Sequence, residues 1–122
     1  MKKAKEDLTV AEDELDKITW ASTFHSQQTA EKALKALLIA LGKRPPKTHR
    51  IELLIELVRI SGVETRELQE QGLEKLSNYA VEARYPDFEE EPSEEEAEEA
   101  LRLARKVLEW VTERLKEMGI KC

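Results

Sequence analysis

The sequence predicts an all-α chain: an up-and-down bundle of about five helices, four of them long. Three observations carry this. Apolar residues recur three and four apart along most of the chain. Only four glycines and four prolines interrupt it, which leaves long helical stretches unbroken. Hydrophobic residues make up 40% and charged residues 38% of the 122, a balance that suits amphipathic helices and argues against wholesale disorder. A chain of this length holds one ordinary core, so residues 1–122 are read as a single domain.

Each helix has its own signal. Ala4, Leu8, Ala11, Leu15 and Ile18 follow a 4-3-4-3 spacing and put one apolar stripe on a first helix. A second pattern runs over about 20–41 and ends at Gly42, roughly 33 Å at the rise of an α-helix. No glycine or proline separates these two, so the break near Ile18 and Thr19 is inferred, not signalled. Pro45 and Pro46 then enforce an extended connection. Thr48 is the expected N-cap of a third helix that carries Ile51, Leu54, Ile55 and Val58 and closes at Gly62. A fourth helix over about 65–83 uses Leu68, Leu73, Leu76, Tyr79, Ala80 and Ala83, with Pro86 as its stop. Ser93 and Glu96 form a capping box ahead of the last helix. That helix is expected to bury Ala97, Ala100, Leu101, Ala104, Val107, Leu108, Val111 and Leu115 before Gly119.

Charge narrows the function classes. A net charge of −6 argues against generic binding to DNA or to an anionic membrane. It is unevenly spread: residues 87–99 hold nine acidic side chains and no basic one, whereas 43–50 (KRPPKTHR) hold four basic side chains and a histidine. A phosphate-bearing partner is drawn to the second segment and repelled by the first. The acidic run reads as a loop and a well-capped helix start, with a dedicated acidic binding face as the alternative. Two histidines and the lone Cys122 do not make an ordinary zinc site, no glycine-rich loop is present to cradle phosphates, and no cofactor is expected. Cys122 allows no intrachain disulfide, the opening MKKAKEDLTVAEDEL lacks the apolar run of a signal peptide, and no stretch approaches a membrane span. A reducing cytoplasm is the expected setting.

The second helix carries an anomaly. At 100° per residue, Trp20, Phe24, Gln27, Glu31, Leu34 and Leu38 share a sector of about 80°, which puts Gln27 and Glu31 among apolar side chains. A buried carboxylate needs a partner. Lys35, one turn on, is a candidate, with Arg84 and His49 as alternatives from elsewhere in the chain. Two explanations stand: a satisfied polar network that fixes helix register or a subunit interface, and a ligand-binding or catalytic site. His25 is expected on the polar side of the helix, and His49 in a helix's first turn, its ring satisfying a local polar group.

Residues 20–38 (WASTFHSQQTAEKALKALL) resemble the "WAxFxxQQAxEKALKALL" helix of HEPN domains. Thr48-His49 followed by Leu53-Leu54 is similar to that family's "tHxxxxLL" helix start, and Ala83-Arg84-Tyr85-Pro86-Asp87 matches its "ARYPD" segment. The three matches fall in the right order. The resemblance implies a compact helical bundle that usually dimerises and is often encoded beside a small nucleotidyltransferase. Many members are metal-independent ribonucleases, including toxins of toxin–antitoxin pairs, and others are described as non-catalytic and nucleotide-binding.

Catalytic members carry an arginine, four to six further residues and a histidine near the junction of the later helices. Here Arg84 stands in that region, but 85–99 contains no histidine. Proton transfer near neutrality usually needs one. Arg44 and His49 have the literal spacing, yet Pro45 and Pro46 lie between them and favour an extended path. The leading expectation is therefore a non-catalytic homodimer that binds a nucleotide or RNA phosphate through Gln27, Glu31, Lys35, Arg84 and Tyr85. The alternative is a ribonuclease using His49 with an arginine such as Arg44 across the dimer.

Overall fold

The structure is a computed structural model that describes residues 1–82 and 91–121. Among these, helices follow in the order α1 (Lys2–Glu14), α2 (Thr19–Ala40), α3 (Ile51–Ile60), α4 (Arg66–Gln69), α5 (Glu74–Glu82) and α6 (Glu94–Glu117), with no strand. The all-α bundle is the architecture the sequence predicts. Among the described residues no helix is long and apolar enough to cross a membrane.

Helix α2 is the axis of the bundle and packs against α1, α3, α5 and α6. Neighbours on so many sides leave it little solvent-facing surface, so its polar residues go under with the apolar ones. Ala30, Ala33, Leu34, Leu37 and Leu38 are buried, and so are Ser22, Thr23, Ser26, Gln27, Thr29 and Glu31. Short hydroxyls suit this position because they find acceptors on nearby backbone. Thr23 donates to the Trp20 carbonyl at 3.0 Å and Thr29 to that of His25 at 2.8 Å. Ser22 crosses to α1 and donates to the Ala11 carbonyl at 2.7 Å. Leu54, Ile51 and Val58 of α3, Leu76 of α5, and Leu103, Val107 and Val111 of α6 complete the core. Each large aliphatic side chain so buried contributes about 1.5–3 kcal/mol.

Several helix boundaries and faces differ from expectation. Helix α1 ends at Glu14, and Ile18 sits beyond it in extended backbone, 43% exposed. Its buried face is Ala4, Asp7 and Ala11, whereas Leu8 and Leu15 are only half-buried. Small alanines let α1 approach α2 closely, and Asp7 is drawn in by Lys32 and His25 of α2. Trp20 is 42% exposed and Phe24 half-buried, so the sector predicted on α2 leaves the core at its amino-terminal end.

The fourth helix of the sequence reading is two helices. Gly72 takes φ +71 between α4 and α5, a left-handed conformation that favours glycine. On one continuous helix Leu68 and Leu73 would lie about 140° apart. The turn brings both into the core.

At α3 the N-cap position is Arg50, not Thr48. Thr48 Oγ1 instead accepts from the Arg50 amide at 3.1 Å. The amide of Ile51 donates to Ser77 Oγ of α5 at 2.8 Å, and Ser77 donates in turn to Glu52 at 2.6 Å. A neighbouring helix thus satisfies an amide that α3 leaves open at its start.

The capping box of α6 forms as expected, with the Glu96 amide donating to Ser93 Oγ at 3.0 Å. This helix also buries Leu103 and Trp110, while Leu108 is half-buried.

Candidate functional site

Gln27 and Glu31 do not point into water. Gln27 is fully buried and Glu31 is 6% exposed. Glu31 Oε1 accepts from Gln27 Nε2 at 2.9 Å and meets His49 Nδ1 at 2.8 Å. Its other oxygen accepts from Lys35 Nζ at 3.1 Å. The same Gln27 amide donates to the His49 carbonyl at 3.1 Å, and Gln27 Oε1 accepts from Gln28 at 2.7 Å. Burial pushes the Glu31 carboxyl up, but the hydrogen bonds from Gln27, His49 and Lys35 outweigh it and hold the group below its ordinary 4.5.

An ionised Glu31 only accepts, so His49 Nδ1 must carry the proton that it shares with Oε1. Gln27 fixes the backbone of His49 while Glu31 fixes its ring. That ring is 42% exposed, and Lys35 is 23% exposed beside it. The neighbouring connection presents Lys43, Arg44, Lys47 and Arg50, all exposed. Arg50 pairs with Glu52 at 2.9 Å. Lys43, Arg44 and Lys47 form no ion pair among the described residues. The site is therefore a buried anion that positions one imidazole and one ammonium at the edge of a cationic connection. A groove of about 600 Å³ lies elsewhere, between α5 and α6, and its lining includes Glu95, Glu96 and Glu99. That acidic lining suits a phosphate poorly.

The family model for the HEPN domain matches residues 1–115. The chain belongs to the HEPN family. It is similar to TT1696 from Thermus thermophilus, whose crystal structure aligns with a TM-score of 0.72 at 33% identity and covers 93% of this chain and 94% of that one. Among curated proteins none matches it.

Of the residues singled out by sequence in this HEPN chain, Gln27, Glu31, Lys35 and His49 converge on one cluster. Arg44 is exposed on the connection and takes part in none of the cluster's hydrogen bonds among the described residues. Arg84 and Tyr85 fall outside the described residues. His49 lies two positions before α3 rather than in its first turn. His25 is half-buried: its Nδ1 pairs with the buried Asp7 at 2.8 Å, and Lys32 holds the other Asp7 oxygen at 2.6 Å. Two contributors were invisible in the sequence. Ser77 stabilises the start of α3 from 26 residues away, and the His49 carbonyl takes a side-chain donor from 22 residues away. No local spacing encodes either contact. Among the described residues no group of three or more His, Cys, Asp or Glu is placed to hold a metal ion.

Proposed function

We propose that this HEPN chain is a non-catalytic, homodimeric interaction module that binds the phosphate of a nucleotide or RNA and acts with a small nucleotidyltransferase, as a toxin–antitoxin-like pair. The observation that carries this reading is the buried Glu31, which holds His49 and Lys35 at the edge of the exposed cations of 43–50. Gln27 and Glu31 are organisers: both are buried, and their polar atoms are engaged within the chain. Lys35 and His49 face the ligand. Arg84 supplies a further phosphate contact and Tyr85 stacks on a base.

Calorimetric titration with nucleotides tests it. Wild type is expected to bind with Kd below about 1 mM, near −4 kcal/mol, and Lys35→Met and Arg84→Ala to weaken binding without altering helicity. Wild type that binds no nucleotide removes the ligand half of the reading. A monomer by light scattering removes the homodimer.

A second reading is favoured by one observation, the 2.8 Å contact of His49 with a buried carboxylate. It orients an imidazole as a general base requires. On this reading the chain is a metal-independent ribonuclease that uses His49 with an arginine, such as Arg44, across the dimer. RNA cleavage abolished by His49→Ala supports it, and equal cleavage by the variant rejects it.

A further inference from the structure

We propose that Nε2 of His49 accepts a phosphoryl group from a small acyl phosphate, which makes His49 a covalent modification site. The inference rests on reading this face as phosphate-binding and goes beyond it, from holding a phosphate to forming a bond with one.

Glu31 is an acceptor for three donors, Gln27, His49 and Lys35, so Nδ1 of His49 donates and its hydrogen stays there. In the neutral ring the lone pair is then on Nε2. That nitrogen has no partner among the described residues, and the ring that carries it is 42% exposed. The Nδ1 bond to Glu31 holds the ring, and Gln27 holds the backbone carbonyl of the same residue. An outward nucleophile with a fixed direction therefore sits beside Lys35 and close in sequence to Lys43, Arg44 and Lys47, cations suited to draw in a phosphate and neutralise its charge.

The step balances without an outside base. The Nε2 lone pair attacks phosphorus, and the bond from phosphorus to the acyl oxygen breaks. The carboxylate leaves with that electron pair. The ring becomes a phosphorylated imidazolium that keeps its Nδ1 hydrogen, and the positive charge it gains faces the Glu31 carboxylate. A phosphorus–nitrogen bond on imidazole is itself a high-energy linkage, so the donor must be comparably activated, as an acyl phosphate is. The chain has no glycine-rich loop to hold a nucleoside triphosphate, whereas a small acyl phosphate asks only for cations around one phosphate.

The molecule contains its own control. His25 also meets a buried carboxylate through Nδ1 at 2.8 Å, with a lysine on the other oxygen. Its ring is less exposed, at 30%, packs edge-on against Phe24, and belongs to a helix rather than to the cationic connection.

The experiment is incubation of the intact protein with acetyl phosphate, site mapping by mass spectrometry under conditions that preserve phosphohistidine, and parallel titration with inorganic phosphate followed by NMR. Label is expected on His49 at Nε2 and not on His25, with a labelling rate about tenfold or more lower in Glu31→Gln. Site mapping on wild type alone decides the matter should that variant fail to fold. Inorganic phosphate that binds at the His49 resonance while acetyl phosphate leaves no label there overturns this inference and spares the binding reading. Absence of both overturns the two together. Equal label on His25 and His49 shows reactivity that owes nothing to the site, and also overturns it.

Discussion

Asp7 and Glu31 are held by the same two kinds of partner, a histidine Nδ1 on one oxygen and a lysine ammonium on the other. In the first cluster every group belongs to a helix: Asp7 to α1, His25 and Lys32 to α2. That cluster joins two packed elements, and the Ser22 bond to the Ala11 carbonyl joins them again. In the second, Glu31 and Lys35 lie on α2, but His49 belongs to the irregular connection before α3. A buried amide, Gln27, spans carboxylate and backbone there. The lesson is that an identical pairing chemistry fastens helices when both sides are helical and aims a side chain when one side is loop.

The contrast is open to breakage by mutation. Glu31→Ala is expected to cost the most, about 3–4 kcal/mol, because it removes an acceptor from the fully buried Gln27 amide and leaves both Lys35 and His49 Nδ1 without their partner. Urea unfolding measures it, and nucleotide binding should fall with it. Asp7→Ala removes two contacts whose partners are 30% and 38% exposed and can turn to water. The expected loss is about 1–2 kcal/mol, with nucleotide binding unchanged. Equal losses of stability and of binding in the two variants would erase the distinction.

A smaller effect sharpens the account of α3. Ser77→Ala removes the acceptor of the Ile51 amide and the donor to Glu52, at a cost of about 1 kcal/mol. Nucleotide affinity is expected to weaken modestly, since the start of α3 positions His49. The smallest effect concerns pH. The Glu31 carboxyl is depressed in the fold, so the stability it contributes is present above its ordinary 4.5 and is lost as pH falls below that value. Unfolding free energy measured between about pH 7 and pH 3 should drop less steeply in Glu31→Gln than in wild type.

The helices were legible because their apolar periodicity and capping residues are local signals. Ser93 with Glu96 and the glycines beyond α2 and α3 required no partner to be known. The buried anomaly on α2 was legible for the same reason: Gln27 and Glu31 sit in register with Leu34 and Leu38. Periodicity failed where tertiary contacts decide. The stripe expected on α1 holds at Ala4 and Ala11, but Asp7 rather than Leu8 and Leu15 is buried beside them, because α2 offers Lys32, His25 and Ser22 to that side. The split of α4 from α5 turned on Gly72, a residue that a helix tolerates at modest cost until packing asks for the turn. Glu31 choosing both Lys35 and His49 is a matter of three-dimensional approach, and sequence spacing ranked only the first.

Nitrogen-15 NMR of the two imidazoles, with and without a nucleotide, reads out which ring is aimed at a ligand. His49 is expected to hold its proton on Nδ1 before ligand is added, and its Nε2 resonance to move during titration with AMP while His25 stays still. A proton on Nε2 of His49, or a His49 ring indifferent to nucleotide at concentrations that saturate any binding, would contradict this reading.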